Sequence, residues 1–234
     1  MEFVVPRDRP LSDLLSSASS ADLEVLAALI TDNGKGRIAL DSSIKTLILK
    51  RLAQGNLQSI ADVFETEIRA FGSNSIANLF RSEGVEYSEL VADVAKKLDG
   101  KPAEARDIFA LEDIVIQQAA RKYLEKDVPI EALSGAALTA YIGQIVSTLI
   151  AAAGTAAGFA ATGGAAGIAS AIGGRLVTLV AAPLAVGAAG ATLIQATAPA
   201  FRITVPAVLQ VAKIRRIQFE ADLAAYKENL RACL

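Results

Sequence analysis

Three pairs of carboxylates, Glu65 with Glu67, Glu86 with Glu89 and Glu112 with Asp113, come nearest to a reactive arrangement in this chain. Neighbouring carboxylates can share a proton, divide the roles of acid and base, or hold a divalent cation. None of the pairs stands in the Glu-x-x-His pattern that builds a di-metal site inside a helical bundle. Histidine is absent. That removes the commonest general base and metal ligand, and any Ser–His or Cys–His pair within the chain. The single cysteine, Cys233, excludes an internal disulfide and zinc sites built on His or Cys. With one residue after it in Arg231-Ala-Cys-Leu234, it lies too close to the end for a prenylation box, which has three. The loop over residues 31–36 (Thr-Asp-Asn-Gly-Lys-Gly) lacks the P-loop pattern and the spaced acidic ligands of an EF-hand. The carboxylates read as solvated helix faces. The expectation is a non-enzymatic protein with no catalytic, cofactor or metal site.

The elements that carry these side chains read as helices throughout, with no sustained alternation of the strand type. Helical periodicity with polar starts and glycine stops marks residues 11–17, 20–30, 43–54, 57–71, 75–83, 87–99 and 101–126. Ser19 and Asp22 form an S-x-x-D capping box before a helix burying Leu23, Leu26, Leu29 and Ile30. Gly55, Gly72, Gly84 and Gly100 are the expected stops. Near the C-terminus, Thr204 is expected to cap a helix with Pro206 in its first turn, running through Val208, Leu209, Ala212 and Ile217 towards Tyr226. The fold class is all-α, a helical bundle.

One stretch stands apart. Residues 132–201 hold a single charge, Arg175, and half of them are alanine (24) or glycine (11). The flanks carry the rest of the charge: residues 1–131 have net −6 and residues 202–234 net +3. The chain thus divides into a charged helical region (1–131), an Ala/Gly-rich apolar helical hairpin (132–201) and a C-terminal helix (202–234) that packs back on the bundle. Within the hairpin, residues 136–161 read as a first helix with Leu138, Ile142, Ile145 and Leu149 on one face. A turn follows at residues 162–164, a possible break at 173–175, and a last segment over 176–198 that Pro183 kinks. Gly143, Ser147, Gly154, Gly158, Gly163 and Gly167 are small residues at spacings that let helix backbones approach closely.

A block this apolar is buried in protein or in lipid. About 20 apolar residues span a bilayer, and both uncharged runs are long enough. Alanine and glycine, however, gain little from lipid. In the lipid reading Arg175 sits at the hairpin tip or interface. Arg202, Lys213, Arg215 and Arg216 form a basic flank that meets anionic headgroups. In the protein reading the same residues are a solvated face, with Arg216 near Glu220. Nothing resembles a nucleic-acid surface, which needs a basic stripe. The start Met-Glu-Phe-Val-Val-Pro is too short in apolar residues for a secretory signal, so a cytoplasmic location is expected.

The segments Phe71-Gly-Ser-Asn-Ser-Ile-Ala-Asn78, Tyr87-Ser-Glu-Leu90 with Asp93-Val94, and Arg202-Ile-Thr-Val-Pro-Ala-Val-Leu-Gln210 resemble the YaaW-like family of uncharacterised bacterial proteins. That family is grouped with ubiquinol–cytochrome c chaperone-like proteins. Residues 9–37 resemble its leading module. Ser73 stands where the family pattern has a second glycine. The resemblance implies a fold and no established reaction. Asn74 and Asn78 are turn-satisfying amides or a partner surface.

Two functions follow from these readings. One is a membrane-interacting protein whose hairpin, with Gly143, Gly154 and Gly158 closely packed, anchors in or permeabilises a bilayer and permits oligomers or a pore. The other is a soluble chaperone or assembly factor with the hairpin as bundle core and a protein client.

Overall fold

A computed structural model describes residues 5–32, 40–70, 85–124, 128–152 and 201–233. The described residues form eight α-helices: α1 (Leu11–Ser16), α2 (Ser20–Thr31), α3 (Ser42–Ala53), α4 (Ala61–Ala70), α5 (Tyr87–Lys97), α6 (Ile108–Leu124), α7 (Gly135–Ala152) and α8 (Phe201–Ala232). No strand occurs among them, and the all-α bundle expected from the sequence is what is observed. The expected helix over 75–83 and the hairpin beyond residue 152, with its turn at 162–164, break at 173–175 and Pro183, lie outside the described residues.

Local chemistry explains the boundaries. The Ser19 hydroxyl accepts the Asp22 amide at 3.1 Å and donates to Asp22 Oδ2 at 2.6 Å, so the capping box starts α2 as expected. Asp41 starts α3 by accepting the Ser43 amide (2.7 Å) and hydroxyl (2.6 Å). Those bonds, the hydroxyl's first, hold its carboxyl below the usual range. The expected helix over 57–71 opens instead as a 3₁₀ turn, Leu57–Ile60, that runs into α4. The expected helix from Lys101 begins later. Pro102–Glu104 form an isolated 3₁₀ turn, and α6 starts where Asp107 Oδ1 accepts the Ala110 amide at 2.7 Å.

The end of α5 shows why two adjacent residues matter. The Asp99 amide donates to Lys96 O (3.0 Å) and the Gly100 amide to Ala95 O (2.8 Å), which is the Schellman closure. The left-handed residue is Asp99 (φ 65°) rather than the glycine. Gly100 is required by space: a Cβ there would stand 2.6 Å from Ile114 Cγ2.

The core surrounds the first half of α8. Val205, Val208, Leu209, Val211, Ala212 and Ile214 are all at most 2% exposed. α8 packs on α1, α2, α5, α6 and α7, most extensively on α7. It also begins earlier than expected: Phe201 opens the helix and Pro206 lies inside it. There the proline ring leaves the Arg202 carbonyl without its i+4 amide. The helix expected to pack back on the bundle is therefore the bundle's central element, and only its second half is exposed. α7, the first part of the apolar stretch, buries Leu138, Ile142, Ile145, Val146, Leu149 and Ile150 in the same core. Among the described residues no helix is long and apolar enough to cross a membrane.

Candidate functional site

Charge, which a core of this kind excludes, collects at one place on α8. Glu112 of α6 is fully buried, and Arg215 and Arg216 are each 4% exposed. Glu112 Oε1 accepts Arg215 Nε at 3.0 Å and the Tyr87 hydroxyl at 3.1 Å, while Oε2 accepts Arg216 Nη1 at 3.1 Å. Arg216 Nη2 donates to the Phe109 carbonyl (2.9 Å) and to Asp113 Oδ1 (2.7 Å). Its guanidinium carbon lies 3.4 Å from the Phe109 ring centroid, within cation–π range. Arg215 Nη1 donates to the Arg9 carbonyl at 2.8 Å. Both oxygens of the Glu112 carboxylate and both guanidinium groups thus have hydrogen-bond partners, as burial of charge requires.

Electrostatics follow from that geometry. Burial pushes the Tyr87 phenol well above its ordinary range, and the Glu112 carboxylate beside it adds to the shift. Burial works against the charged Arg215, but Glu112 and Tyr87 outweigh it and raise its value. The Tyr87 phenol thus holds its proton beside Glu112 and the two guanidinium groups, an arrangement suited to holding helices in place.

Lesser nodes flank it along α8. On one side, Asp22 of α2, 7% exposed, accepts Gln210 Nε2 (2.9 Å) and Lys213 Nζ (2.7 Å) on Oδ1. On the other, Gln218 Nε2 donates to Leu14 O (3.0 Å) and Ser17 Oγ (2.5 Å) of the α1 region. Arg9 then bridges Gln218 Oε1 (2.9 Å) and Asp222 Oδ2 (2.5 Å), and Arg7 reaches Asp107 at 3.5 Å.

This corrects two expectations. Lys213, Arg215 and Arg216 are neither a solvated face nor open to headgroups, because each is turned into the bundle onto a carboxylate. Glu112 is no solvated helix residue. The signal lay in phase: Glu112 shares a helix face with Ile116, Ala119 and Tyr123, all buried, and a carboxylate in step with an apolar stripe needs a cation. The other carboxylate pairs do not converge. Glu65 and Glu86 both pair with Arg69, and among the described residues no group of three or more acidic or Cys side chains is placed to hold a metal. A cleft of about 610 Å³ between Asp99, Lys101, Gln118 and Glu131 carries both signs of charge and selects no ligand class.

The small residues of α7 fall on both sides of it. Gly143 is buried, and a Cβ there would meet Lys213 Cε at 3.9 Å. Ser147 is exposed and donates to the Gly143 carbonyl at 2.9 Å. Gly154, Gly158, Gly163, Gly167, Arg175, Asn74, Asn78 and the Arg202 side chain lie outside the described residues.

No family model and no solved structure matches the chain. Two curated proteins do. The UPF0174 protein YaaW of Escherichia coli (strain K12) is 28% identical over 226 residues, covering 88% of this chain and 93% of that protein. The UPF0174 protein YaaW of Escherichia coli O157:H7 is 31% identical over 121 residues, covering 49% of each. Neither name states an activity, and neither supports the grouping with chaperone-like proteins. Similarity along nearly the full length of the first supports the resemblance to YaaW-like proteins that the sequence motifs suggest.

Proposed function

We propose that this protein is a non-enzymatic, membrane-interacting helical protein, in which a closed charged bundle carries residues 153–200 to a bilayer. The observation that supports this is compositional. Once α7 is assigned to the bundle core, 48 consecutive residues remain between α7 and α8, and Arg175 is their only charge. That length accommodates two crossings of about 20 residues each. The segment leaves from α7 and returns into α8, helices that pack on each other, which favours an even number of crossings with both ends on the cytoplasmic side. The lack of histidine supports a role without catalysis. With Lys213, Arg215 and Arg216 committed inside the bundle, anionic headgroups would be met by Arg202 and Arg175.

The test is flotation of the purified full-length protein with anionic liposomes, alongside dye release. Flotation that survives alkaline carbonate supports an integral segment. Leakage adds a permeabilising role, and flotation without leakage leaves an anchor. A protein that stays at the bottom of the gradient at every pH refutes the proposal. A second reading, a soluble assembly factor with a protein client, is favoured by α7 itself, since this first part of the apolar stretch gives its leucine, isoleucine and valine side chains to the bundle core. Complete recovery in the soluble fraction of lysed cells without detergent favours that reading.

A further inference from the structure

Between Val205 and Ile214, α8 is enclosed by the bundle, and every residue but Gln210 and Lys213 is apolar. A helix buried all round gains no burial from one rotation over another, and aliphatic surfaces repack with small losses. α7 offers equally generic partners, Ile142, Ile145, Val146 and Leu149. Hydrophobic packing therefore leaves the position of α8 along its own axis weakly determined.

The polar groups supply what packing does not. They engage α8 at four levels from Gln210 to Asp222, about 18 Å of helix, on four different parts of the chain. Gln210 and Lys213 meet Asp22 of α2. Arg215 and Arg216 meet Glu112 and Asp113 of α6. Gln218 meets α1, and Asp222 meets Arg9. A shift of one turn, about 5.4 Å, would leave Glu112 buried without either guanidinium and drive both arginines against aliphatic side chains. Every level would fail at once.

We infer that this ladder is a register lock: it admits one axial position of α8, and the segment around Arg9 closes over it as the outermost clasp. Buried polar groups are best attested in this role when they select one alignment among apolar alternatives. The lock keeps α7 and α8 seated while the segment between them acts elsewhere, so the bundle does not need to open.

The experiment separates locking from plain stabilisation. In the full-length protein, without lipid, the central node is replaced together: Glu112→Leu, Arg215→Met, Arg216→Met and Tyr87→Phe. The urea midpoint is expected to stay at or above that of the parent. Amide exchange over residues 204–216 is expected to accelerate at least tenfold relative to α5, with doubled or broadened methyl resonances for Val205, Val208 and Ile214. A folded variant with one sharp set of resonances and parental exchange would overturn the lock. If that variant does not fold, Asp22→Asn with Gln210→Leu and Lys213→Met removes a single level and is expected to accelerate exchange over residues 208–214 about threefold. Parental exchange there would overturn the lock equally. Liposomes take no part, so the outcome bears on the lock and leaves the membrane reading to its own test.

Discussion

Glu112→Gln is the sharpest probe of the charged node. The substitution keeps the shape and removes one acceptor oxygen and the negative charge. In the parent the carboxylate receives three donors, from Tyr87, Arg215 and Arg216, at 3.0–3.1 Å. The amide can receive donors only on its oxygen, and its NH₂ must point at a guanidinium or at the phenol. Arg216 then keeps its pair with Asp113, while Arg215, also 4% exposed, loses the carboxylate it is paired with. Removing one partner of a buried pair costs about 3–5 kcal/mol. That lowers the folding equilibrium constant by roughly a hundred- to several-thousand-fold, against a total stability of about 5–15 kcal/mol. With a urea dependence of about 1–3 kcal/mol per molar, the midpoint of a circular-dichroism melt should fall by more than about 1 M. The internal comparison is Asp113→Asn. That carboxylate is 40% exposed, so solvent screens its pair with Arg216 and the loss should be within about 1 kcal/mol. If Glu112→Gln and Asp113→Asn cost the same, burial does not govern the node and the reasoning fails.

Three further outcomes follow from local geometry. Gly100→Ala should destabilise by about 1–3 kcal/mol, since the new methyl meets Ile114 Cγ2 at 2.6 Å and Ala95 O at 3.1 Å; a thermal melt equal to the parent's would contradict the assigned packing. Asp41 has a depressed folded value, so its contribution is present above pH 3.8, the ordinary value, and is lost as pH falls through its own lower one. Protection of the Ser43 amide should fade in that acid window, and Asp41→Asn, which still caps, should make it independent of pH. Tyr87 is shifted the other way, so its contribution is whole below pH 10 and is lost as pH rises through its raised value. Absorbance at 295 nm should show its phenol still protonated above pH 10 while the fold persists, and a Tyr87→Phe variant should lose none of the signal that appears near pH 10.

The helices were legible because their starts and stops are local chemistry. Ser19 with Asp22 and the periodic Leu23, Leu26, Leu29 and Ile30 announce α2 without tertiary information. Boundaries at Pro102 and Phe201 were less so. Lys101-Pro102 looks like a helix start, yet the turn it opens closes after three residues. Thr204 looks like a cap, yet the helix begins at Phe201. The node was hidden for another reason. Side chains such as Arg215 and Arg216 carry the same letters on a solvated face and in a core. Only their pairing with residues about a hundred positions away distinguishes the two.

Gly143 shows where reading a small residue as a close-approach site meets its limit. Its spacing with Ser147 suggests two backbones in contact. The observed neighbour is the aliphatic stem of Lys213, and a Cβ would lie 3.9 Å from its Cε, an ordinary contact. Among the described residues, the glycine is therefore not demanded by crowding. Alanine in its place removes the backbone-entropy penalty of a mid-helix glycine, so Gly143→Ala should stabilise by up to about 1 kcal/mol. Leucine is different, because its branches must occupy the space of the Lys213 stem and would pull Nζ from Asp22, where it now sits at 2.7 Å. Gly143→Leu should therefore destabilise, and most of its cost should vanish in an Asp22→Asn, Lys213→Met background, where no ion pair remains to be broken. A thermal melt of the alanine variant below that of the parent would show that something approaches α7 more closely than Lys213, and would return Gly143 to the role its spacing suggests.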